Sequence, residues 1–307
     1  MSFWQSWFSK PKPSNGKPDQ ETADKEKSAA PAEREPAKSY EVHASVQTDV
    51  GCVRDINEDS ATFTRPQDPE LLARKGLLTL VADGMGGCSG GEIASAMVIA
   101  WVPRAYYESP SAPHEALKEA FQKVNHEIFS AANKDLNLAG MGTTAVALAI
   151  CGDLAYAAYV GDSRLYLIRD GRIYLMTQDH SLVFDLVQKG LITREDARNH
   201  EDRNVLVRSL GGRSEVEVSI WDEPMTVHED DRFLLCSDGL HDLVEDPEIL
   251  DAVLGADDDS ATLKLIGLAK QRGGYDNVTA ALVRIRGKSD LPAQDLKATR
   301  EFQAQQA

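Results

Sequence analysis

Four strand-like runs follow one another between residues 143 and 176, and they constrain the fold of this chain more than any other feature. The connections between them are only three residues long. A crossover to a parallel strand needs about a dozen residues or more, so these runs can pair only as antiparallel hairpins. In chain order they are Thr143–Ile150, Leu154–Val160, Arg164–Ile168 and Arg172–Met176.

The apolar pattern of the remaining chain adds further strands and separate blocks of helices. Alternation from Val42 to Thr48 and a continuous apolar run from Leu77 to Ala82 predict two strands near the start. Because the strands pair locally and the helices are grouped apart from them, we expect an α+β fold, a sandwich of two antiparallel β-sheets flanked by α-helices (αββα). Strands are also predicted at 216–220, 232–236 and 278–285, and helices at 91–103, 113–128, 181–189, from Thr193, and within 240–272.

The two ends of the chain differ in composition from its centre. Residues 9–39 are rich in Lys, Glu, Pro, Ala and Ser, carry no large apolar side chain, and are predicted to be disordered. The segment Met1–Phe8 ahead of them is either a frayed terminus or a docking segment for a partner protein or a membrane interface. Its apolar residues, which would share one helix face, are Phe3, Trp4, Trp7 and Phe8. We therefore divide the chain into a tail (1–39), a folded domain (40–286) and a polar C-terminal tail (287–307).

The charge and the cysteine content exclude several classes of protein. A net charge of −16 argues against binding to nucleic acid, which needs clustered Lys and Arg, and it suits the binding of cations. The four cysteines show no C-x-x-C spacing, and the N-terminus has no secretory apolar segment. We therefore expect a cytoplasmic protein, one that Met1–Phe8 could tether to a membrane or a partner.

Two segments of the sequence each deliver an aspartate and a glycine at the end of an apolar run. The first is Leu-Thr-Leu-Val-Ala-Asp83-Gly84, and the second is Phe-Leu-Leu-Cys-Ser-Asp238-Gly239. A single Asp-Gly pair is usually a hairpin turn, which accounts for Asp170-Gly171 between two alternating runs. Further acids stand beside strand-like runs, namely Glu58, Asp59, Asp162 and Asp276.

Acids gathered at one edge of a pair of sheets indicate a cation site rather than a set of turns. Carboxylates that lie close together repel one another and raise one another's pKa unless a cation neutralises them. Oxygen ligands of this kind suit Mg²⁺ or Mn²⁺. Zinc is not expected, because the seven histidines are scattered without metal-binding spacing.

Six motifs in order resemble the metal-dependent protein phosphatases of type 2C in their bacterial form, and the resemblance covers residues 42–286. It implies that Asp83 bridges two Mn²⁺ or Mg²⁺ ions, that the Gly84 carbonyl joins one ion, and that Asp238 and Asp276 hold the other. The motifs are Arg54-Asp-Ile-Asn-Glu58-Asp59, Asp83-Gly-Met-Gly-Gly, Met141-Gly-Thr-Thr, Gly161-Asp162-Ser-Arg164, Ser237-Asp238-Gly239 and Asp276-Asn277-Val-Thr.

The same resemblance assigns roles to the other site residues. It implies that Glu58 and Asp59 position waters on the metal ions and that Arg54 receives the phosphate of the substrate. Asp162 would help to hold a third ion together with Asp238. The expected activity is hydrolysis of phosphoserine and phosphothreonine in proteins, which reverses a Ser/Thr protein kinase in signalling. Its partners would be phosphorylated proteins and such a kinase or its substrates.

Several alternatives stay open at this level. The chain could be an inactive phosphatase-like scaffold that binds phosphoproteins, or a hydrolase of small phosphoesters. Many family members carry His where this chain has Met85, so no histidine is assigned as general acid. Residues 180–212, which we call the flap, resemble a mobile insertion beside the site; its arginines would meet acidic substrates or are simply solvated. The flap arginines are Arg194, Arg198, Arg203 and Arg208. Cys88 and Cys236 are predicted to be packing residues.

Overall fold

The computed structural model describes residues 40–86 and 90–287, so the tail 1–39, Cys88 and most of the C-terminal tail lie outside the described residues. The described residues form twelve strands. They are β1 (Tyr40–Asp49), β2 (Asp59–Thr64), β3 (Leu77–Met85), β4 (Gly142–Thr143), β5 (Ala145–Cys151), β6 (Leu154–Val160), β7 (Arg164–Arg169), β8 (Arg172–Leu175), β9 (Ser219–Ile220), β10 (Met225–Thr226), β11 (Arg232–Cys236) and β12 (Val278–Gly287).

The described helices all lie between strands in chain order. The two longest, α2 and α3, follow β3, and three more separate β11 from β12. A short 3₁₀ turn at Leu136–Leu138 follows α3. In chain order the helices are α1 (Pro69–Lys75), α2 (Gly90–Glu108), α3 (Pro113–Lys134), α4 (Leu182–Gln188), α5 (Arg194–Arg198), α6 (Asp238–His241), α7 (Asp246–Leu254) and α8 (Asp258–Gln271). None of the helices within the described ranges is long and apolar enough to span a membrane.

The strands form two antiparallel sheets. One sheet has the order β1-β12-β11-β7-β8, and the other has β10-β6-β5-β3-β2, with β4 paired to β3 and β9 paired to β6. The predicted hairpins are present, since β5 pairs with β6 and β7 pairs with β8. The expected α+β sandwich is therefore confirmed.

The central strands of each sheet are buried on both faces. On β3, Leu78 and Leu80 belong to a core shared with α2 and α3, and on β11 Leu234 belongs to a core shared with α7 and α8. The alternate residues of the same strands, such as Val81 and Leu235, are also fully buried and face the opposite sheet. Asp83 continues the face of Val81, so its side chain lies at the end of the space between the sheets.

Helix α2 differs from its predicted length. The sequence predicted an end near Pro103, but the helix continues through that proline to Glu108. A proline inside a helix removes one backbone hydrogen bond. Here Val102 and Tyr106, on either side of it, are both fully buried in the core, and this packing favours continuation of the helix. The strand predicted at 216–220 is also wrong in length, since only Ser219–Ile220 pairs with β6.

Several local predictions are confirmed. Asp170 and Gly171 form a two-residue turn between β7 and β8, with φ angles of 52° and 69°. This Asp-Gly pair is therefore a hairpin turn, as its sequence context predicted. Thr193 and Asp196 form the predicted capping box at the start of α5. Cys236 is fully buried, as expected of a packing residue.

Candidate metal centre and active site

Two of the predicted acids face each other on neighbouring strands of one sheet. Strands β2 and β3 are antiparallel, and their register places Asp59 opposite Asp83. Side chains directly opposite in an antiparallel pair lie on the same face of the sheet. Both carboxyl groups therefore lie at one end of the space between the sheets.

The other sheet supplies further acids at the same end. Strand β11 ends at Cys236, and Asp238 then begins α6, while Asp276 comes just before β12. Because β11 and β12 are antiparallel, the end of one strand and the start of the other meet at the same edge. Ser237 joins the two sheets there, since its hydroxyl donates a 2.7 Å hydrogen bond to Asp59 Oδ2.

The electrostatics of this cluster favour a bound cation. Burial raises the pKa of Asp59 to about 7, and burial together with neighbouring carboxylates raises the pKa of Asp83 well above its usual range. Burial also raises the pKa of Asp238, whose carboxyl lies within hydrogen-bond range of Asp83. Within the described chain, the Oδ1 atoms of Asp59 and Asp238 are buried and have no hydrogen-bond partner. Unpartnered buried carboxylate oxygens are suitable ligands for a divalent cation.

The described acids do not form a complete set of ligands around one ion position. Among residues 40–86 and 90–287, no group of three acidic, histidine or cysteine side chains is already placed as a complete ligand set. Two of the acids instead have other partners. Asp59 accepts the hydrogen bond from Ser237, and Asp276 forms an ion pair with Arg54. The fit to a metal ion therefore rests on the buried, unpartnered oxygens and on the shared negative charge.

Gly84 has a packing role that is independent of metal. A Cβ at this position would collide with the carbonyl oxygen of Gly91 in α2 and would lie 2.6 Å from the carbonyl oxygen of Glu58. The Gly84 N–H also donates to that Glu58 carbonyl at 3.1 Å. Only glycine lets β3 approach both the Glu58 loop and the start of α2 this closely.

Asp162 lies in the tight turn between β6 and β7, on the α6 side of the cluster. Burial raises the pKa of Asp162 well above its usual range, and the negative charge of Asp238 adds to this shift. His241 in α6 contacts the same turn, with its Nε2 atom 3.1 Å from the Asp162 carbonyl oxygen. The sequence analysis gave His241 no role. The signal in the sequence that could have identified His241 is its spacing of three residues from Asp238, which places both side chains on one face of a helix.

Arg54 and Glu58 lie on the loop before β2 and reach the cluster from outside. The Arg54 Nη2 atom is 2.8 Å from Asp276 Oδ2, and both side chains remain partly exposed. Burial raises the pKa of Glu58, while Arg54 and a hydrogen bond from the backbone of Gly91, at the start of α2, act to lower it. This loop therefore places one guanidinium and one carboxyl group at the open side of the acids.

Asn277 holds this loop in place and was not assigned a role from the sequence. Its Oδ1 atom accepts a hydrogen bond from the Glu58 N–H at 2.8 Å. Its Nδ2 atom donates to the carbonyl oxygens of Val50 and Ile56 at 3.0 and 2.9 Å. The side chain is only 4% exposed. One buried amide therefore fixes both ends of the loop that carries Arg54.

The flap, residues 180–212, is tied to the turn that carries Asp162. The Gly161 N–H donates to His180 Nδ1 at 3.1 Å, and the His180 N–H donates to the Gly161 carbonyl at 2.9 Å. Burial lowers the pKa of His180 to about 4, so this histidine is neutral near pH 7. Two flap arginines already have acidic partners, because Arg198 pairs with Glu245 and Arg208 pairs with Glu217.

Comparison with known proteins identifies the family. A family model described as Protein phosphatase 2C matches residues 64–260. The serine/threonine phosphatase stp of Listeria welshimeri is 36% identical over 248 residues, which are 79% of this chain and 95% of that protein. The chain therefore belongs to the protein phosphatase 2C family.

Solved structures agree with this assignment. Serine/threonine phosphatase Stp1 from Staphylococcus aureus matches with a TM-score of 0.74 and 31% identity, covering 83% of this chain and 99% of that one. The catalytic domain of serine/threonine protein phosphatase PstP, in complex with two manganese ions, matches with a TM-score of 0.68 and 34% identity. That match covers 80% of this chain and 98% of the PstP chain.

Proposed function

We propose that this protein is a metal-dependent serine/threonine protein phosphatase that hydrolyses phosphoserine and phosphothreonine in proteins and so reverses a Ser/Thr protein kinase. The observation that carries the proposal is the joining of acids from both sheets at one edge, with Arg54 beside them. The family and the named activities of its relatives support an enzyme rather than an inactive binding scaffold.

The site residues fit a divalent cation cofactor, Mn²⁺ or Mg²⁺. Asp83, the Gly84 carbonyl, Asp238 and Asp276 would hold two ions, with Asp83 shared between them. The buried, unpartnered Oδ1 atom of Asp238 supports this assignment. When bound, such ions supply a water nucleophile of lowered pKa and offset the charge of the phosphoryl group.

The chain's own residues bind the phosphate and orient water. Arg54 has a planar guanidinium at the open side of the acids, where it can bind two phosphoryl oxygens at once. Asp59, held by Ser237, and Glu58, held by the Gly91 N–H, would each accept a hydrogen bond from water near the phosphorus. Met85 cannot donate a proton, so the proton for the leaving serine or threonine oxygen would come from water or from another group at the site.

Replacing Arg54 by alanine should weaken the use of a phosphosubstrate by several-fold to about a hundred-fold. The reason is the loss of a charged hydrogen bond to phosphate, which contributes about 1.5–3 kcal/mol. The measurement is steady-state hydrolysis of a phosphothreonine peptide with Mn²⁺, repeated with a chelator, which should abolish the activity. Arg54→Lys keeps the charge but loses the planar guanidinium that can donate two parallel hydrogen bonds. Its activity should therefore lie between those of the wild type and Arg54→Ala. Unchanged kcat and KM in Arg54→Ala would contradict the assignment.

We assign Asp162 to a third ion shared with Asp238, because the charge of Asp238 raises the pKa of Asp162 and both acids raise the pKa of Asp83. Asp162→Ala should retain tight binding of two Mn²⁺ ions and turn over about ten- to a hundred-fold more slowly, as for residues that support a metal site indirectly. Calorimetry with Mn²⁺ measures the number of tight sites. Loss of all tight binding would place Asp162 in the principal pair instead.

The tail 1–39 would tether the domain to a partner or a membrane interface through Met1–Phe8. Leaving four large aromatic side chains in water is unfavourable, by about 1.5–3 kcal/mol each relative to full burial. Deleting residues 1–39 should leave turnover of a free phosphopeptide unchanged and should alter the location or the partners of the protein. Loss of peptide hydrolysis on truncation would show instead that the tail belongs to the folded domain.

A further inference from the structure

Three large apolar side chains are exposed next to Arg54, the proposed phosphate-binding residue, and Asp276, its ion-pair partner. Val53 precedes Arg54 and is 63% exposed, Ile56 is 47% exposed on the same loop, and Tyr275 precedes Asp276 and is 63% exposed. Large apolar residues exposed singly need no explanation, but these three lie on two loops that meet at the Arg54–Asp276 ion pair. We call Val53, Ile56 and Tyr275 the apolar rim.

The backbone that carries the apolar rim is firmly held. The Cys52 N–H donates to the Gly274 carbonyl at 2.8 Å, so the two rim loops are bonded directly to each other. A Cβ on Gly51 would collide with the carbonyl oxygen of Asp276, which shows how closely these loops pack. Asn277 adds its hydrogen bonds to the first loop. The rim side chains are therefore presented from a fixed position, which lowers the entropy lost when they bind.

The position of the substrate phosphate determines what must lie over the apolar rim. Successive residues of an extended peptide are about 3.3–3.6 Å apart. If the phosphoryl group binds at Arg54, the substrate residues one or two positions from the phosphorylated one must pass the side chains adjacent to Arg54 and Asp276. A second copy of the chain could not occupy this surface while a substrate is bound.

Charge argues for apolar rather than acidic neighbours in the substrate. The rim loop also carries the exposed Asp55, and the chain has a net charge of −16. Arg198 and Arg208 of the flap, for which contact with acidic substrates was one of two predicted roles, are already paired with Glu245 and Glu217. Acidic flanking residues would therefore meet mostly like charge, whereas apolar ones would bury exposed apolar surface.

We infer that the apolar rim is a substrate-docking surface that selects phosphoproteins with an apolar or aromatic residue within two positions of the phosphoserine or phosphothreonine. The inference rests on the proposed phosphatase function and names the class of substrate for that same site. The rim contacts the peptide and not the reacting phosphoryl group, so it sets KM for peptides and leaves the chemical step unchanged.

The test compares Tyr275→Ser and Val53→Ser with the full-length wild type on three substrates with Mn²⁺. Two are phosphothreonine peptides of equal length, one with leucine or phenylalanine flanks and one with serine flanks, and the third is p-nitrophenyl phosphate. The matched control is Leu263→Ser. Leu263 is 58% exposed on α8, about 10 Å along the helix from Lys270, which pairs with Asp49 near the rim loop.

The wild type should prefer the apolar peptide through a lower KM. Each rim variant should raise KM for that peptide by about three- to ten-fold, as expected for the loss of one partly buried apolar contact, and should leave p-nitrophenyl phosphate hydrolysis unchanged. Leu263→Ser should match the wild type. A wild type that hydrolyses p-nitrophenyl phosphate without preferring either peptide, or rim variants that slow both substrate types equally, overturns the docking inference alone. A wild type inactive on all three overturns the proposed function and the inference with it.

Discussion

Replacing Asp238 by asparagine should abolish turnover and, at the same time, make the metal-free protein more stable. The activity should fall by about a thousand-fold or more, because a bound cation contributes several kcal/mol of transition-state stabilisation. The stability should rise because Asp238 is partly buried, its carboxyl lies beside Asp83, and its buried Oδ1 atom has no partner among the described residues. Asparagine keeps the size and removes the charge.

The stability difference should depend on pH. Burial raises the pKa of Asp238 in the folded state, so the folded protein binds this proton more tightly than the unfolded chain does. The protonated carboxyl stabilises the fold fully below the unfolded pKa of about 3.9, and this contribution is lost as the pH rises through the folded pKa. The thermal midpoint of metal-free Asp238→Asn should exceed that of the wild type by a few °C near pH 7, and the difference should shrink toward pH 4.

Asp170→Asn is the matched control for this experiment. Asp170 also precedes a glycine after an apolar run, but it forms the turn between β7 and β8, and asparagine tolerates its φ of 52°. This control should retain wild-type activity and the wild-type rise in melting temperature on addition of Mn²⁺. Asp238→Asn should lose both. An active Asp238→Asn variant, or one that Mn²⁺ still stabilises as much as the wild type, would remove Asp238 from the metal site.

The sequence was informative about these acids because local patterns carried the information. The short connections around β5 to β8 predicted antiparallel pairing, and the continuous apolar run from Leu77 to Ala82 placed Asp83 at the end of a buried strand. Comparison with Asp170-Gly171, which lies between two alternating runs, distinguished the repeated Asp-Gly motif at Asp83 and Asp238 from an ordinary hairpin turn. Each of these signals lies within about ten residues of chain, a range over which hydrophobic period and turn chemistry determine structure.

The supporting residues could not be predicted in this way. Ser237 bonds Asp59 across a separation of 178 residues, and Asn277 bonds the Glu58 N–H across 219. Such pairs depend on the relative position of two sheets, which no local pattern encodes. Helix α2 passes Pro103 for the same reason, since the buried contacts of Val102 and Tyr106 outweigh the local preference. The position of the acids at the ends of strands was therefore predictable, whereas the residues that hold them in place were not.

Asn277→Ala should lower kcat/KM for a phosphopeptide by about a hundred-fold while leaving Mn²⁺ binding largely intact. The substitution removes one acceptor and two donor interactions from the loop 50–58, and it leaves the Glu58 N–H and two carbonyl oxygens without these partners. Each unsatisfied buried group costs about 1–3 kcal/mol unless water reaches it. The loop would relax, and a displacement of about 1 Å in Arg54 is enough for a hundred-fold loss.

A double-mutant cycle distinguishes positioning from a general loss of stability. If Asn277 acts through Arg54, the Arg54→Ala substitution should lower kcat/KM much less in the Asn277→Ala background than in the wild type. The reason is that a guanidinium that is already displaced contributes little to phosphate binding. Asn133→Ala is the control for removing an asparagine amide, since Asn133 bonds a backbone carbonyl on the exposed face of α3. Additive losses in the cycle, or Mn²⁺ binding that fails together with turnover, would mean that Asn277 supports the fold as a whole and does not specifically position the phosphate-binding loop.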